Sequence, residues 1–278
     1  MVGRRQLSIR PRSGRSGCGL RLLLALVIVA VALISYFGAS QHNPVTGEDQ
    51  HVSLSTHQEI ALGLQAAPQM LAEYGGLYPD QRWQNLIDEI GFRTVENSDV
   101  VKTDWQFEFH LLNDARTVNA FALPGGQVFI TRALVQQLST EGQIAGVLAH
   151  EIGHVVARHG AQHLAKSELT QGLVGAVLVA SEDARAAQVA AVIGQLVNMK
   201  YGRDDELQSD ELGVRFMSQA GYDPRAMVEV MRTLEQLSGG ARPPEFFSTH
   251  PNPENRIQRI QDAIRKHFPN GVPDGLIP

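Results

Sequence analysis

The run His150-Glu151-Ile152-Gly153-His154 constrains this chain more than any other stretch. Residues four apart on a helix share one face, one turn apart. His150 and His154 can therefore aim at a single ion, while Glu151, about 100° round the helix, reaches a water beside it. Two imidazoles on a helix suit Zn2+, and the adjacent carboxylate supplies the general base of a zinc hydrolase. With 10 histidines in 278 residues the pattern also arises by chance, so the rest of the chain must supply what a catalytic metal needs. That is a third protein ligand and an open position.

The stretch from Tyr201 to Gly221 offers that ligand on a second helix. At 100° per residue, Asp210, Gly213 and Met217 fall within about 40° of Glu206, whereas Gln208, Glu211, Arg215 and Gln219 lie roughly opposite. A carboxylate in the middle of an apolar face is costly unless it binds a metal or is paired. Glu206 is therefore the candidate third ligand, Asp210 a supporting or transition-state residue, and Glu211 a solvated charge. The metal helix itself is expected from Glu141 to Lys166, opened by a Thr140–Gln143 capping box. Its Gly146, Ala149 and Gly153 leave one side thin enough for a helix carrying Gly213 to approach. The same wheel turns His159 and His163 away from the metal face, as structural or exposed residues.

Hydrophobic residues make up 43% of the chain and charged ones 19%, as in a globular protein with one extra apolar segment. The net charge of -5 gives no reason to expect nucleic acid. Cys18 is the single cysteine, which excludes an intramolecular disulfide. Six arginines (Arg4, Arg5, Arg10, Arg12, Arg15 and Arg21) precede an uncharged run of 18 residues, Leu22 to Ala39. As a helix that run spans roughly 27 Å, just under the ~30 Å of a hydrocarbon core. It reads as a signal peptide or as an N-terminal anchor with its basic end in the cytoplasm, and either exports the remainder.

Gln41 to Ser53 is polar and carries Asn43-Pro44 and Thr46-Gly47, the marks of a linker. Helices are expected from Leu54 to Glu73, with a Ser55–Gln58 capping box, and from the Asp80 cap to Val95. Trp105 to Leu111 alternates as a strand with His110 on its outer face, and Thr117–Leu123 and Gln127–Thr131 flank a Pro124-Gly125-Gly126 turn. Asn119 to Leu123 is the expected edge along which an extended polypeptide would pair. Gly172–Val179, too short to span a membrane, and Ala186–Val197 read as helices in the core or over the site. The helix carrying Arg256, Ile257, Ile260 and Ile264 is followed by a flexible Phe268–Pro278.

These residues carry a resemblance. His150-Glu151-Ile152-Gly153-His154 followed by Glu206-Leu207-Gln208-Ser209-Asp210-Glu211-Leu212-Gly213 is similar to the HtpX, BepA and type I CAAX-prenyl-protease family of zinc metallopeptidases. Asn43-Pro44-Val45-Thr46-Gly47, Asn119 to Gly126, Ala220 to Pro224 and Ser248-Thr249-His250-Pro251 resemble its exported bacterial members. The resemblance covers Asn43 to Arg265. It implies a single zinc held by His150, His154 and Glu206, with Glu151 as catalytic base and Asp210 in support, at times as proton donor. It also puts His250 beside the metal cleft, as an oxyanion donor or as a resting metal ligand that swings away, with Arg256 as the alternative donor or as a partner for Asp210. Ser209 departs from the Ala usual there. Ala39-Ser40-Gln41-His42 stand where some relatives carry a lipid-bearing Cys, so lipid anchoring is not implied, and no helical repeat array is expected after the domain.

The expected fold is α+β: a mostly helical zincin-like domain with a small β-sheet beside the cleft. Residues 1–40 form the leader, 41–53 a linker, 54–267 the peptidase domain and 268–278 a tail. The expected activity is zinc-dependent endopeptidase hydrolysis of unfolded or misassembled envelope polypeptides, outer-membrane proteins among them. The setting is the bacterial periplasm, soluble or anchored by residues 22–39. The rival is a non-proteolytic, chaperone-like protein that keeps zinc for structure. Such sites are usually rich in Cys, and an intact Glu151 has no purpose there.

Overall fold

A computed structural model of the chain describes residues 16–174, 200–239, 244–252 and 255–278, with side chains given from Val27 and not for 170–174. The leader ahead of Ser16, the stretch Ala186–Val197 and most of Gly172–Val179 lie outside the described residues. The fold is α+β and mostly helical. Its order is α1 (Ser16–Gly38), β1 (Ser40–His42), β2 (Asp49–His51), α2 (Thr56–Glu73), α3 (Gln81–Glu96), a 3-10 turn, β3 (Glu108–Leu112), β4 (Ala120–Ala122) and β5 (Gln127–Thr131). There follow α4 (Arg132–Val135), α5 (Glu141–Val156), α6 (His159–Val174), α7 (Arg203–Gln219), α8 (Arg225–Ser238), α9 (Phe246–Thr249) and α10 (Arg256–His267).

Helix α5 is the axis of the molecule. Every residue from Gly142 to Val156 is buried, because α3, α7, α8, β4 and β5 surround it. Half of the expected capping box is present, since the Thr140 side chain accepts from Gln143 N but the Gln143 side chain does not return to Thr140 N. The partner of the Gln143 side chain is Ser139 N, at 2.6 Å. The close approach to α7 rests on small residues. A Cβ added at Gly213 would lie 2.8 Å from Met227 Cε and 3.3 Å from His150 N, and one at Gly153 3.0 Å from Ser209 O. Ser55 and Asp80 cap α2 and α3 as expected.

The sheet has the order β3-β5-β4, with β3 parallel and β4 antiparallel to β5. Phe107, Phe109 and Leu111 point into the core while His110 lies over Phe129. Strand β4 forms one edge. Asn119 O and Leu123 N bond to β5, so by alternation the backbone groups of Ala120 and Ala122 point away from it. This is the edge at which the sequence places an extended polypeptide.

Three expectations are corrected. Gln41–Ser53 is not a plain linker, because β1 and β2 pair as a hairpin that closes the C-terminus of α5. The last carbonyls of a helix lack intrahelical partners. Here Asn43 Nδ2 donates to Val156 O at 2.7 Å and Gln50 Nε2 to Ala157 O at 2.8 Å. Second, the metal helix does not run to Lys166. It stops at Val156, and Arg158 turns the chain with φ 57, a conformation few non-glycine residues adopt. Tertiary bonds hold it there: Nε to Glu59 Oε1 at 2.8 Å, Nη1 to Gln41 Oε1 at 2.7 Å and Nη2 to Leu54 O at 2.8 Å. Third, Phe268–Pro278 packs rather than floats, with Asp223 N donating to Ile277 O at 2.8 Å and Gly142 N to Pro278 O at 2.8 Å.

Helix α1 lies along α6 and exposes Val27, Val31, Ile34 and Phe37. Among the described residues, no helix is long and apolar enough to cross a membrane.

Candidate metal centre

The two helices and one short loop bring the sequence-derived residues to a point. His150 Nε2 and His154 Nε2 lie 3.1 Å apart on successive turns of α5. From α7, Glu206 Oε2 comes within 3.4 Å of His150 Nε2 and Oε1 within 3.3 Å of His154 Nε2. His250 follows α9, its ring stacked on Phe246 at 4.4 Å, and its Nδ1 lies 3.0 Å from Glu206 Oε1 and 3.3 Å from His150 Nε2. One donor atom from each of His150, His154, Glu206 and His250 falls within 4.8 Å of all the others, and all four residues are buried.

Glu151 sits on the same helix, wholly buried, with neither carboxylate oxygen hydrogen-bonded. Across the site, His250 Nε2 lies 3.5 Å from Oε1. Burial raises the Glu151 carboxyl above its ordinary value. An ionisable group held without partners inside a protein is costly, and such groups cluster at functional sites.

Behind the cluster, a second layer orients it. His150 Nδ1 lies 2.9 Å from Asp210 Oδ1, which leaves Nε2 directed at the donor group. Arg256, at the start of α10, grips Asp210 with Nε to Oδ2 at 2.7 Å and Nη2 to Oδ1 at 2.9 Å, and its Nη2 also reaches Glu206 Oε2 at 3.1 Å. Asp210 thus faces the back of His150. Of the two roles the sequence left to Arg256, the structure displays the partnership with Asp210. Burial raises both acids but is outweighed: Arg256 holds Asp210 below its usual range, and the surrounding imidazoles hold Glu206 well below. Burial disfavours charge on His150 too, yet Asp210 and Glu206 pull it up to about 9, whereas burial prevails at His154 and lowers it well below 6.5. Two ring nitrogens 3.1 Å apart beside a carboxylate cannot each hold a proton between them. Lone pairs converging with Glu206, and an unpartnered Glu151 alongside, are a donor set that fits a divalent cation of the zinc type.

Glu211 lies off this face, with its side chain exposed and paired to Lys266 at 2.5 Å. His159 does not behave as the wheel indicates. The turn at Arg158 swings it back, buried, so that its Nδ1 lies 2.9 Å from His154 Nδ1. His163 is partly exposed and lies 2.7 Å from Asp205 Oδ2. Tyr201, which the sequence did not single out, stacks on His154 at 3.8 Å and places its hydroxyl 3.5 Å from Ala122 O of the sheet edge. Neither contact has a local signal, since one depends on a corner and the other on a loop.

Residues 81–264 match the sequence profile of peptidase family M48. The beta-barrel assembly-enhancing protease of Escherichia coli K12 is 30% identical over 258 residues, 89% of this chain and 52% of the relative. Its counterpart from Yersinia pestis is 32% identical over 238 residues, 82% of this chain and 48% of the relative. The mitochondrial metalloendopeptidase OMA1 of Schizosaccharomyces pombe is 28% identical over 240 residues, 85% of this chain and 70% of the relative. The chain spans about half the length of the bacterial relatives.

Proposed function

The chain belongs to peptidase family M48, and from that premise we propose that it is a zinc-dependent endopeptidase acting on unfolded or misassembled envelope proteins in the bacterial periplasm. A metalloprotease whose substrates are polypeptides follows from the family. The bacterial relatives are named for enhancing beta-barrel assembly, which supports outer-membrane proteins as the substrate class and, with them, the envelope as the setting. The basic leader and apolar run Leu22 to Ala39 support export.

The observation that carries the reading is the buried, unpartnered Glu151 beside His150, His154 and Glu206. His150, His154 and Glu206 would hold the zinc, which when bound supplies Lewis-acid polarisation of the scissile carbonyl and of a water. Glu151 takes the water's proton as general base and later delivers it to the leaving amine. Asp210, clamped by Arg256, keeps the His150 ring turned so that Nε2 faces the ligand cluster. Glu151→Gln should retain zinc and fold while losing nearly all hydrolysis of casein, since only the base is removed. Casein cleavage at the wild-type rate in the purified variant would overturn this assignment.

His250 has two readings at this site. Its Nδ1, 3.0 Å from Glu206 Oε1, favours a fourth donor at rest that must move aside for substrate. In that case His250→Ala should be more active or self-cleaving. As an oxyanion donor it should instead keep zinc and lose roughly 10²–10³ in kcat. Unchanged kinetics and unchanged zinc affinity would leave His250 with neither role.

A further inference from the structure

The two histidines of α5 present the same requirement and meet it differently. An imidazole that offers Nε2 to a metal must carry its proton on Nδ1, and that N–H needs an acceptor. For His150 the acceptor is a carboxylate in direct contact, Asp210 Oδ1 at 2.9 Å. His154 Nδ1 faces no carboxylate. Its partner is another imidazole nitrogen, His159 Nδ1, at 2.9 Å. One of these two nitrogens must hold the proton and the other the lone pair.

The next contacts settle which. His159 Nε2 lies 2.8 Å from Gln208 Oε1, and Gln208 Nε2 lies 2.7 Å from Glu48 Oε2. An ionised carboxylate only accepts, so it takes the amide N–H of Gln208 and leaves the amide oxygen turned inward. That oxygen accepts the Nε2–H of His159, whose Nδ1 is then bare and accepts the Nδ1–H of His154. Each donor meets an acceptor in one direction only, from the metal cluster outward to the surface. The reverse tautomer of His154 would aim its Nε2–H at His150 Nε2, 3.1 Å away, where a cation must sit. Asp205 Oδ1, 3.9 Å from His159 Nε2, is too distant to compete as acceptor.

We propose that His159 is a positioning residue for the metal centre, fixing the tautomer and ring orientation of His154 through the relay His154–His159–Gln208–Glu48. The proposal rests on the metal-centre reading above. It also gives a task to the β1–β2 hairpin, which contributes Glu48 as well as the amides that close α5.

The test is the zinc dissociation constant of the full chain, measured by competition with a chelator, alongside the thermal unfolding of the metal-free protein. His159→Phe keeps a ring of similar size and removes the acceptor. His159→Asn places an amide oxygen near the former Nδ1 and restores it. The phenylalanine variant should bind zinc about 10- to 100-fold more weakly, and the asparagine variant should recover most of that loss. Gln208→Met, which leaves His159 itself in place, should weaken zinc by a few-fold and serves if the phenylalanine variant does not fold. Wild-type zinc affinity in His159→Phe, or equal weakening by phenylalanine and asparagine, would overturn the relay. A wild-type chain that binds no zinc would instead overturn the metal-centre reading beneath it.

Discussion

Helix α7 and the corner after α5 both supply residues to the same centre, but only α7 follows helical periodicity. Over Arg203–Gln219 the helix is unbroken, so side-chain direction follows from spacing. Glu206 and Asp210 are buried against α5, and Glu211, one residue on, is exposed. At Ala157–His159 the same rule fails, because Arg158 leaves the helix with φ 57. The wheel turns His159 away from the metal face, yet its ring comes back to His154. Periodicity carries a direction only as far as the helix that generates it. The corner is decided by Glu59, Gln41 and Leu54 O, all roughly a hundred positions earlier in the chain.

The largest expected effect lies on the α7 side of this comparison. Glu206→Ala removes the carboxylate that bridges His150 Nε2 and His154 Nε2, at 3.4 and 3.3 Å. The purified variant should contain no stoichiometric zinc and cleave no casein. Elemental analysis that found wild-type zinc content would dissociate the buried face of α7 from the metal.

On the corner side, the expected effect falls on stability. Arg158→Ala deletes the bonds to Glu59, Gln41 and Leu54 O and the contact over Trp105, and it leaves Glu59 buried without its partner. Breaking a buried pair in this way costs about 3–5 kcal/mol. Burial already pushes the Glu59 carboxyl up to about 7, against the pull of Arg158, from 4.5. A raised folded-state pKa means the folded chain keeps its proton longer than the unfolded one. The associated stability is present below about 4.5 and lost as pH rises through about 7. Without Arg158 the loss deepens, so the penalty of the variant should grow from pH 5 to pH 8 in urea titrations. A penalty below 1 kcal/mol at both pH values would show that the corner is held by something other than this pair.

Much of the centre was legible in the sequence because its chemistry sits at regular spacings: His150 and His154 one turn apart, Glu206 and Asp210 likewise, with Gly153 and Gly213 where the helices close together. The hairpin and the chain end were not. Asn43 and Gln50 sit in a polar stretch without periodicity, and their value lies in bonding the carbonyls of Val156 and Ala157, more than a hundred positions away. Phe268–Pro278, rich in Pro and Gly, has no periodicity to read, and it is ordered by backbone bonds to Asp223 and Gly142. His250 stands between, since its motif was visible while its approach to Glu206 depends on the stacking against Phe246.

The smallest effect is the sharpest control on the comparison. Glu211 lies beside Asp210 in sequence and carries the same side chain as Glu206, so any account based on residue type along α7 would treat them alike. The face account does not. The Glu211 side chain is 57% exposed, and its one ion pair, to Lys266 at 2.5 Å, lies at the surface. Exposed pairs contribute about 0.2–1 kcal/mol, reduced further by salt. Alanine has a slightly better helix propensity than glutamate, which offsets part of that loss. Glu211→Ala should therefore change unfolding free energy by no more than about 0.5 kcal/mol and leave zinc content and casein cleavage at wild-type values. Zinc loss equal to that of Glu206→Ala would mean that the helix presents a different face to α5, and with it the placement of Asp210 behind His150 would fall.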